Sequence, residues 1–474
     1  MKMNKLNRLL STHPLGVLYT LFALTRVALY GFWPVNREFL YSCTQSLDRT
    51  WLRADLLTSI IDIHTRPPLL NTFLGLCFQF DAPWDAVCCL GFHAALAIAG
   101  VYCFYSIARK LISSGRLAFA VSALYVIFPT LLYAEHWAGH YVHVITIGQL
   151  VLLWLIVCHP RGWPWWSFAL ATVLVLTRSI FHWVVWFIPV SVFLFVLIRK
   201  RCGRIPRSVV LLALVGLSVS VVPYVRNAVR FGVFSPATWQ GFDLVATTMR
   251  YLPAEDKDKL IAAGHCSPLI KMAAESTTSE EYARVLGMSV PQQIPGHPVL
   301  YERLKPTSGT VNRDYILYPH ISKELTRSFV GFVIHRPKAY LKCLIANIRE
   351  FFGCEVFEDW WTARAWRLDK NGDTALSKLT TLAKTYIFSL LIFSAWCMTI
   401  SAALWALFKE RELVRRLLGG YVLFTLALTM AVPVLTESFE ECVYRTPTDP
   451  ILLLGAFVVL NAALSSRIEP QGKA

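Results

Sequence analysis

The chain has 474 residues, 55% of them hydrophobic and only 16% charged, with a formal net charge of +16. A set of about two or three soluble domains, which the length alone would suit, is excluded by that apolarity, and an all-α polytopic membrane protein is expected instead. Nucleic acid is excluded as a partner by where the cations sit. Lys2, Lys5 and Arg8, then Arg109, Lys110 and Arg116, then Arg199, Lys200, Arg201, Arg204 and Arg207, then Lys409, Arg411, Arg415 and Arg416 fall in short segments between alternate apolar runs, the positive-inside pattern.

Apolar length places spans near 15–33, 86–108, 117–133, 142–158, 163–180, 183–199, 208–225, 380–407, 417–434 and 450–465. These ten put both termini and every basic cluster on the cytoplasmic side. The first, longer than a signal-peptide core and without a small-x-small cleavage site, reads as a retained signal anchor. Its Arg26 is costly in lipid unless it snorkels or finds a partner, and the outward loop is within its reach. Twelve cysteines without a C-x-x-C read as small core residues rather than zinc ligands or disulfides.

The first outward loop, within 34–85, is acid-rich: Glu38, Asp48, Asp55 and Asp62, closed by His64-Thr-Arg66-Pro-Pro. Asp48, Asp55 and Asp62 are seven residues apart, so a helix over Leu47–Ile63 would align the three carboxylates on one face. Leu52, Leu56, Ile60 and Ile63 would then form an apolar stripe against the membrane surface. Each aspartate is either a functional group or part of a solvated face. The Pro-Pro pair confines Arg66 to extended geometry. A fixed cation beside carboxylates just outside a membrane suits a phosphate-bearing substrate. Leu69 to Phe80, too short for a span, is expected along the surface.

The second outward loop packs Glu135, His136, His140 and His143 between aromatics. The histidines have helical ligand spacing, so they form either a metal site or an interfacial belt. Arg178 marks the turn between the fifth and sixth spans, and Arg226 follows the seventh. Residues 226–379 form a modest mixed extracytoplasmic region, within which 335–352 has the periodicity of an interfacial helix. The final loop crowds Glu437, Glu440, Glu441 and Arg445 before the last span. The domains expected are thus a module at 1–225, the extracytoplasmic region at 226–379 and a module at 380–474.

HTRPPLLN, PTLLYAEHW, LTRSIFHWVVW, VPYVRNAVRFGVFSPATWQG, HRPKAYLKCLIANIREFF and YRTPTDPILLLGAF run along most of the chain. In order and placement they resemble the GT-C superfamily of polyprenyl-phosphate-sugar-dependent glycosyltransferases. The nearest resemblance is to glycosyltransferase family 39, with its protein O-mannosyltransferases and lipid A aminoarabinose transferases.

The resemblance implies an inverting transfer from a polyprenyl-phosphate sugar to an extracytoplasmic glycan, lipid or protein, in the bacterial inner membrane or, in a eukaryote, the endoplasmic reticulum. Glu38, with Tyr41 close behind, matches the family's acidic residue and its following tyrosine, which implies Glu38 as catalytic base, with Asp48 and Asp55 next. Arg66 stands at the lysine of the family's Lys-Pro-Pro, which implies donor-phosphate binding, joined by Arg226 and Arg445. Tyr41, His64, Glu135, His136 and Arg178 fall on the sugar and acceptor side. Glu135-His136 stand where many relatives have an Asp after an Arg, so a divalent cation remains an open alternative to a metal-free site. A transporter or flippase of lipid-linked sugars and a non-enzymatic envelope assembly factor are the rival functions. The transporter would be expected to show inverted repeats or ionisable residues at mid-membrane, and in the sequence only Arg26 qualifies.

Overall fold

A computed structural model describes residues 12–32, 40–41, 43, 45–136, 140–249, 251–272, 277–352, 389–410, 413–436 and 446–468. Glu38, Arg445, Glu437, Glu440 and Glu441 lie outside the described residues, as does the His136 side chain.

Among the described residues the protein is helical, with a single isolated antiparallel bridge, Leu304 to Val311. The apolar runs form α1 (Pro14–Phe32), α5 (Trp84–Leu111), α6 (Gly115–Val126), α8 (Val142–Cys158), α9 (Trp163–Thr177), α10 (Ile188–Cys202), α11 (Arg207–Phe231), α18 (Ser389–Lys409), α19 (Leu413–Thr436) and α20 (Asp449–Ile468). Five stretches, Trp84–Leu111, Trp183–Cys202, Arg207–Phe231, Leu391–Lys409 and Arg415–Val432, are long and apolar enough to cross a membrane. Their outer faces keep large apolar side chains exposed, among them Val192, Leu211, Leu214, Val222 and Trp405, as a lipid-facing surface does.

Boundaries move where local chemistry intervenes. The span expected at 117–133 breaks before Pro129, which has no N–H and disfavours helix in the residue ahead of it; a short α7 (Pro129–His136) follows. The seventh helix runs beyond 225 to Phe231, carries Pro223 inside it, and stops at left-handed Gly232 (φ 67°).

The basic turns gather at one end of the bundle. His93 of α5 stacks on His143 of α8, and Tyr102 meets Trp154, so these helices run parallel and end together. Arg201 of α10 donates to Ile156 O (2.6 Å) at the end of α8. Ser113, after α5, meets Asn461 of α20 (3.1 Å).

The opposite end carries α2 (Arg49–Ala54), α3 (Leu56–Asp62), α4 (Leu69–Cys77) and a helical cap over 240–352. The region expected to be mixed, 226–379, is built, where it is described, of helices joined by turns and irregular segments, with the one bridge and no named strand. Its main helices are α12 (Gln240–Met249), α13 (Ala254–Ala262), α14 (Ser279–Leu286), α15 (Pro298–Tyr301), α16 (Tyr318–His335) and α17 (Pro337–Phe352). The reason is periodicity: α16 buries Tyr318, Ile321, Leu325 and Phe332, at helical rather than alternating spacing, in a separate core with Leu269, Tyr282 and Leu317.

Gly241 allows α12 onto α16. A Cβ there would lie 1.9 Å from Ser322 O, and its N–H donates to Ser322 Oγ (2.7 Å). Helix α17 leaves Leu341, Ile345 and Ile348 exposed, while its end is anchored to the bundle by Asn347 Nδ2 donating to Val434 O (3.0 Å) and by Phe351 against Trp396 (5.4 Å).

Candidate anion-binding site

The first acid-rich loop is not one helix. Asp55 sits between α2 and α3 with extended backbone, closing one helix and capping the next through Thr58 N (3.0 Å) and Thr58 Oγ1 (2.7 Å). An N-cap aspartate competes with helix continuation, so the three aspartates do not share a face. The apolar stripe turns inward as well: Leu52 and Ile63 are fully buried and Leu56 and Ile60 pack against the bundle core. Leu57 and Ile61 are the exposed apolar residues there.

Each aspartate has a structural partner. Asp48 is buried; its Oδ1 accepts from Thr50 N (2.8 Å) and Thr307 Oγ1 (2.7 Å), and its Oδ2 from Thr307 N (2.9 Å). Buried Asp62 accepts from Arg230 Nη1 (3.0 Å) and His297 Nδ1 (2.8 Å). Exposed Asp55 spends both oxygens on Thr58, which holds its carboxyl below the ordinary range.

The loop is therefore clamped to residues 297–314 along its length. Trp51 Nε1 donates to Glu302 Oε2 (3.3 Å), and Lys305 Nζ donates to Cys43 O (2.8 Å) and Ser46 O (2.6 Å). At the loop's end Asp314 Oδ1 accepts from His64 N, Thr65 N and Thr65 Oγ1, each at 2.8 Å.

His64 is part of this clamp. Its Nε2 faces the carbonyl of Asp314 (2.8 Å), so Nε2 carries the proton and Nδ1 accepts from Thr238 Oγ1. Burial pushes the imidazole down to about 4, so it is neutral at physiological pH.

This clamp holds Arg66 in the interior. Arg66 is buried, its Nε donates to Thr65 Oγ1 (3.2 Å), and its Nη1 is buried with no hydrogen-bond partner among the described residues. Burial first, then the cations Arg313 and Arg178, push its guanidinium down to about 10, against the opposing pull of Asp314. It remains a cation at neutral pH.

Three more cations share the site. Arg178, just past the end of α9, lies over the Tyr141 ring (4.0 Å) and donates to Gln45 Oε1 (3.0 Å). Arg313 lies over the Trp239 ring (5.1 Å). Lys305 is almost fully buried, and desolvation with the charges of Arg66 and Arg313 pushes it down to about 8. His140 completes the wall; burial, then Arg178, Arg66 and Arg313, keep its imidazole well below the usual range. The carboxyl of Asp314 is pushed up by burial, but His64, Arg66 and the N–H donors of His64 and Thr65 outweigh that and hold it ionised.

Four cations around one buried carboxylate, whose Oδ1 is held by three donors, with a buried guanidinium N–H left over, form a site for an anion. Lys305, Arg313 and Asp314 were not singled out in the sequence, where nothing but their number distinguishes them from other charges in a polar stretch.

The other expected groups go elsewhere. Arg226, expected at the donor phosphate, closes the end of α3: its Nη1 lies 3.5 Å from both Ile60 O and Ile61 O, and its Nε donates to Asn227 Oδ1 (3.1 Å). Glu135 is buried in a bidentate pair with Arg26, whose Nη2 and Nε reach Glu135 Oε2 at 2.6 and 3.0 Å. Arg26 thus finds its partner in α7 rather than in the first loop. The Tyr41 hydroxyl donates to Asp85 Oδ2 (3.1 Å), which also pairs with Arg49 (2.5 Å).

The histidine spacing is not helical. His140 precedes α8, its Nδ1 accepting from Val142 N (3.3 Å), whereas His143 is inside α8 and reaches His93 O (3.1 Å). Among the described residues no cluster of three or more His, Cys, Asp or Glu could hold a metal ion. The four cations Arg66, Arg178, Arg313 and Lys305 outnumber the one carboxylate of the anion site and would repel a divalent cation there.

The chain matches no protein-family model, no curated protein and no solved structure.

Proposed function

We propose that this chain is a ten-span membrane glycosyltransferase of GT-C type, which moves a sugar from a polyprenyl-phosphate donor to an acceptor hydroxyl or amine by one inverting displacement. The observation that carries the reading is the buried Arg66 with its unpartnered Nη1, set among Arg178, Arg313 and Lys305. In such a transfer the lipid phosphate leaves with growing negative charge, and fixed cations in a water-poor site stabilise that charge more in the transition state than in the bound donor. Arg66 and Arg178 supply planar forks for phosphate oxygens, and Lys305 and Arg313 add charge.

The acceptor proton needs a carboxylate base. Asp48 and Asp55 have their oxygens committed to caps and clamps, so Glu38 is proposed as the base, attacking oxygen or nitrogen displacing the phosphate as the proton moves to Glu38. Tyr41, three residues on in the chain, donates its hydroxyl to Asp85.

The transporter reading draws on a mid-membrane charge. Arg26 is neutralised by Glu135 and donates to Val126 O (2.5 Å), which makes it a helix-packing element. The experiment is mass spectrometry of envelope glycans and lipids from a deletion strain, repeated with Glu38→Gln restored on a plasmid. Loss of one sugar from a glycan, lipid or protein in both strains supports transfer. Accumulation of a full-length lipid-linked glycan, with Glu38→Gln restoring export, supports transport instead.

A further inference from the structure

At the basic end of the bundle, α10, α18 and α19 leave a groove of about 320 Å³. Its walls are Val190 and Phe193 of α10, Leu407 of α18, and Leu417 and Phe424 of α19, with Phe193 stacked on Tyr421 (5.1 Å) across the helix contact. Gly420 keeps it open: a Cβ there meets only Leu407 Cδ1, at 3.7 Å.

Among the described residues lining this groove, the charged one is Arg416. Its Nε donates to Leu407 O (2.9 Å), an orphan carbonyl at the end of α18, which fixes the guanidinium at the groove. Neighbouring Arg415 is taken by Glu410 (3.3 Å), but among the described residues no carboxylate pairs with Arg416. Its η-nitrogens remain for a ligand. The exposed helix faces beside the groove, including Val192, Val196, Leu404 and Trp405, are apolar.

An apolar slot along membrane helices with a tethered, uncompensated guanidinium suits a molecule with a hydrocarbon chain and an anionic head. We propose that this groove binds one anionic glycerophospholipid, an acyl chain between α10 and α19 and its phosphate on Arg416. The charge complementarity selects an anionic over a zwitterionic lipid. The site is separate from the anion site at the other end of the bundle and does not rest on the glycosyltransferase reading.

The test is native mass spectrometry of the full-length protein after equilibration with mixed vesicles of phosphatidylglycerol and phosphatidylcholine in equal amounts. The wild type should retain one phosphatidylglycerol in preference to phosphatidylcholine by about fivefold, the effect of one basic residue near a membrane surface. Arg416→Gln should abolish the preference, and Gly420→Leu, which fills the groove, should abolish retention of either lipid. Equal retention of both lipids by the wild type, or an unchanged preference in Arg416→Gln, would overturn the proposal; should Gly420→Leu not fold, the Arg416→Gln result decides alone.

Discussion

The Asp314 carboxylate holds Thr65 by both its backbone N–H and its hydroxyl, each at 2.8 Å and across 249 residues of chain. That contact fixes the residue immediately before Arg66, and the paired prolines fix the residues after it. The cation of the proposed site is thus positioned from both sides. Asp314→Ala leaves the buried N–H groups of His64 and Thr65 without an acceptor, at about 1–3 kcal/mol for each such group. The purified protein should lose several degrees in thermal unfolding, and bound sulfate should weaken with it because Arg66 is no longer held.

The Arg26–Glu135 pair makes a second stability prediction. Removing one partner of a buried ion pair costs about 3–5 kcal/mol, whereas replacing both with apolar residues of similar size is often close to neutral. Arg26→Met should therefore be strongly destabilised, and Arg26→Met with Glu135→Leu should recover most of the loss. Thermal unfolding of the two variants in one detergent measures it. A double variant as weak as the single would mean the pair does more than neutralise itself.

Lys305 makes anion binding pH-dependent. Its folded value lies near 8, below the ordinary lysine value of 10.5, so it loses its charge as pH rises through about 8. Sulfate keeps its charge over this range and so reports the protein alone; its affinity should begin to fall near pH 8 in the wild type, whereas in Lys305→Arg it should hold until Arg66 titrates near 10. The stability sign is opposite. A depressed lysine disfavours the folded state below pH 8, and that cost is relieved between about 8 and 10.5, so the unliganded protein should become more stable across that window. Isothermal calorimetry and unfolding curves at several pH values check both signs.

The apolar runs and the basic turns between them were legible in the sequence because each is local: a helix needs only its own residues to be apolar along a face. The aspartates at 48, 55 and 62 misled for the same reason. Their spacing suits a helix, but Asp55 and Thr58 close a cap that a period cannot reveal. Arg66 was legible from the prolines beside it. Lys305, Arg313 and Asp314 were not, since they join Arg66 only through tertiary contacts such as the one between His64 and Asp314, 250 residues apart. The partner of Arg26 was out of reach likewise, 109 residues away in α7.

The carboxylates divide by what they hold. Glu38→Gln should lower turnover about a hundredfold with folding intact. Asp55→Asn, on an exposed cap that asparagine also serves, should leave turnover within about twofold and thermal unfolding nearly unchanged. Steady-state transfer rates with matched unfolding curves distinguish the two. A dead Asp55→Asn beside a fully active Glu38→Gln would move the base to the helix break.

Whether Arg66 binds the leaving phosphate is decided by donor binding and single-turnover transfer measured on purified Arg66→Ala and Arg66→Lys. Alanine should weaken donor binding and slow transfer by a larger factor, since charge on the phosphate grows in the transition state. Lysine should restore part of each as a point charge without the bidentate fork. Donor affinity and rate unchanged in Arg66→Ala would contradict phosphate binding by Arg66.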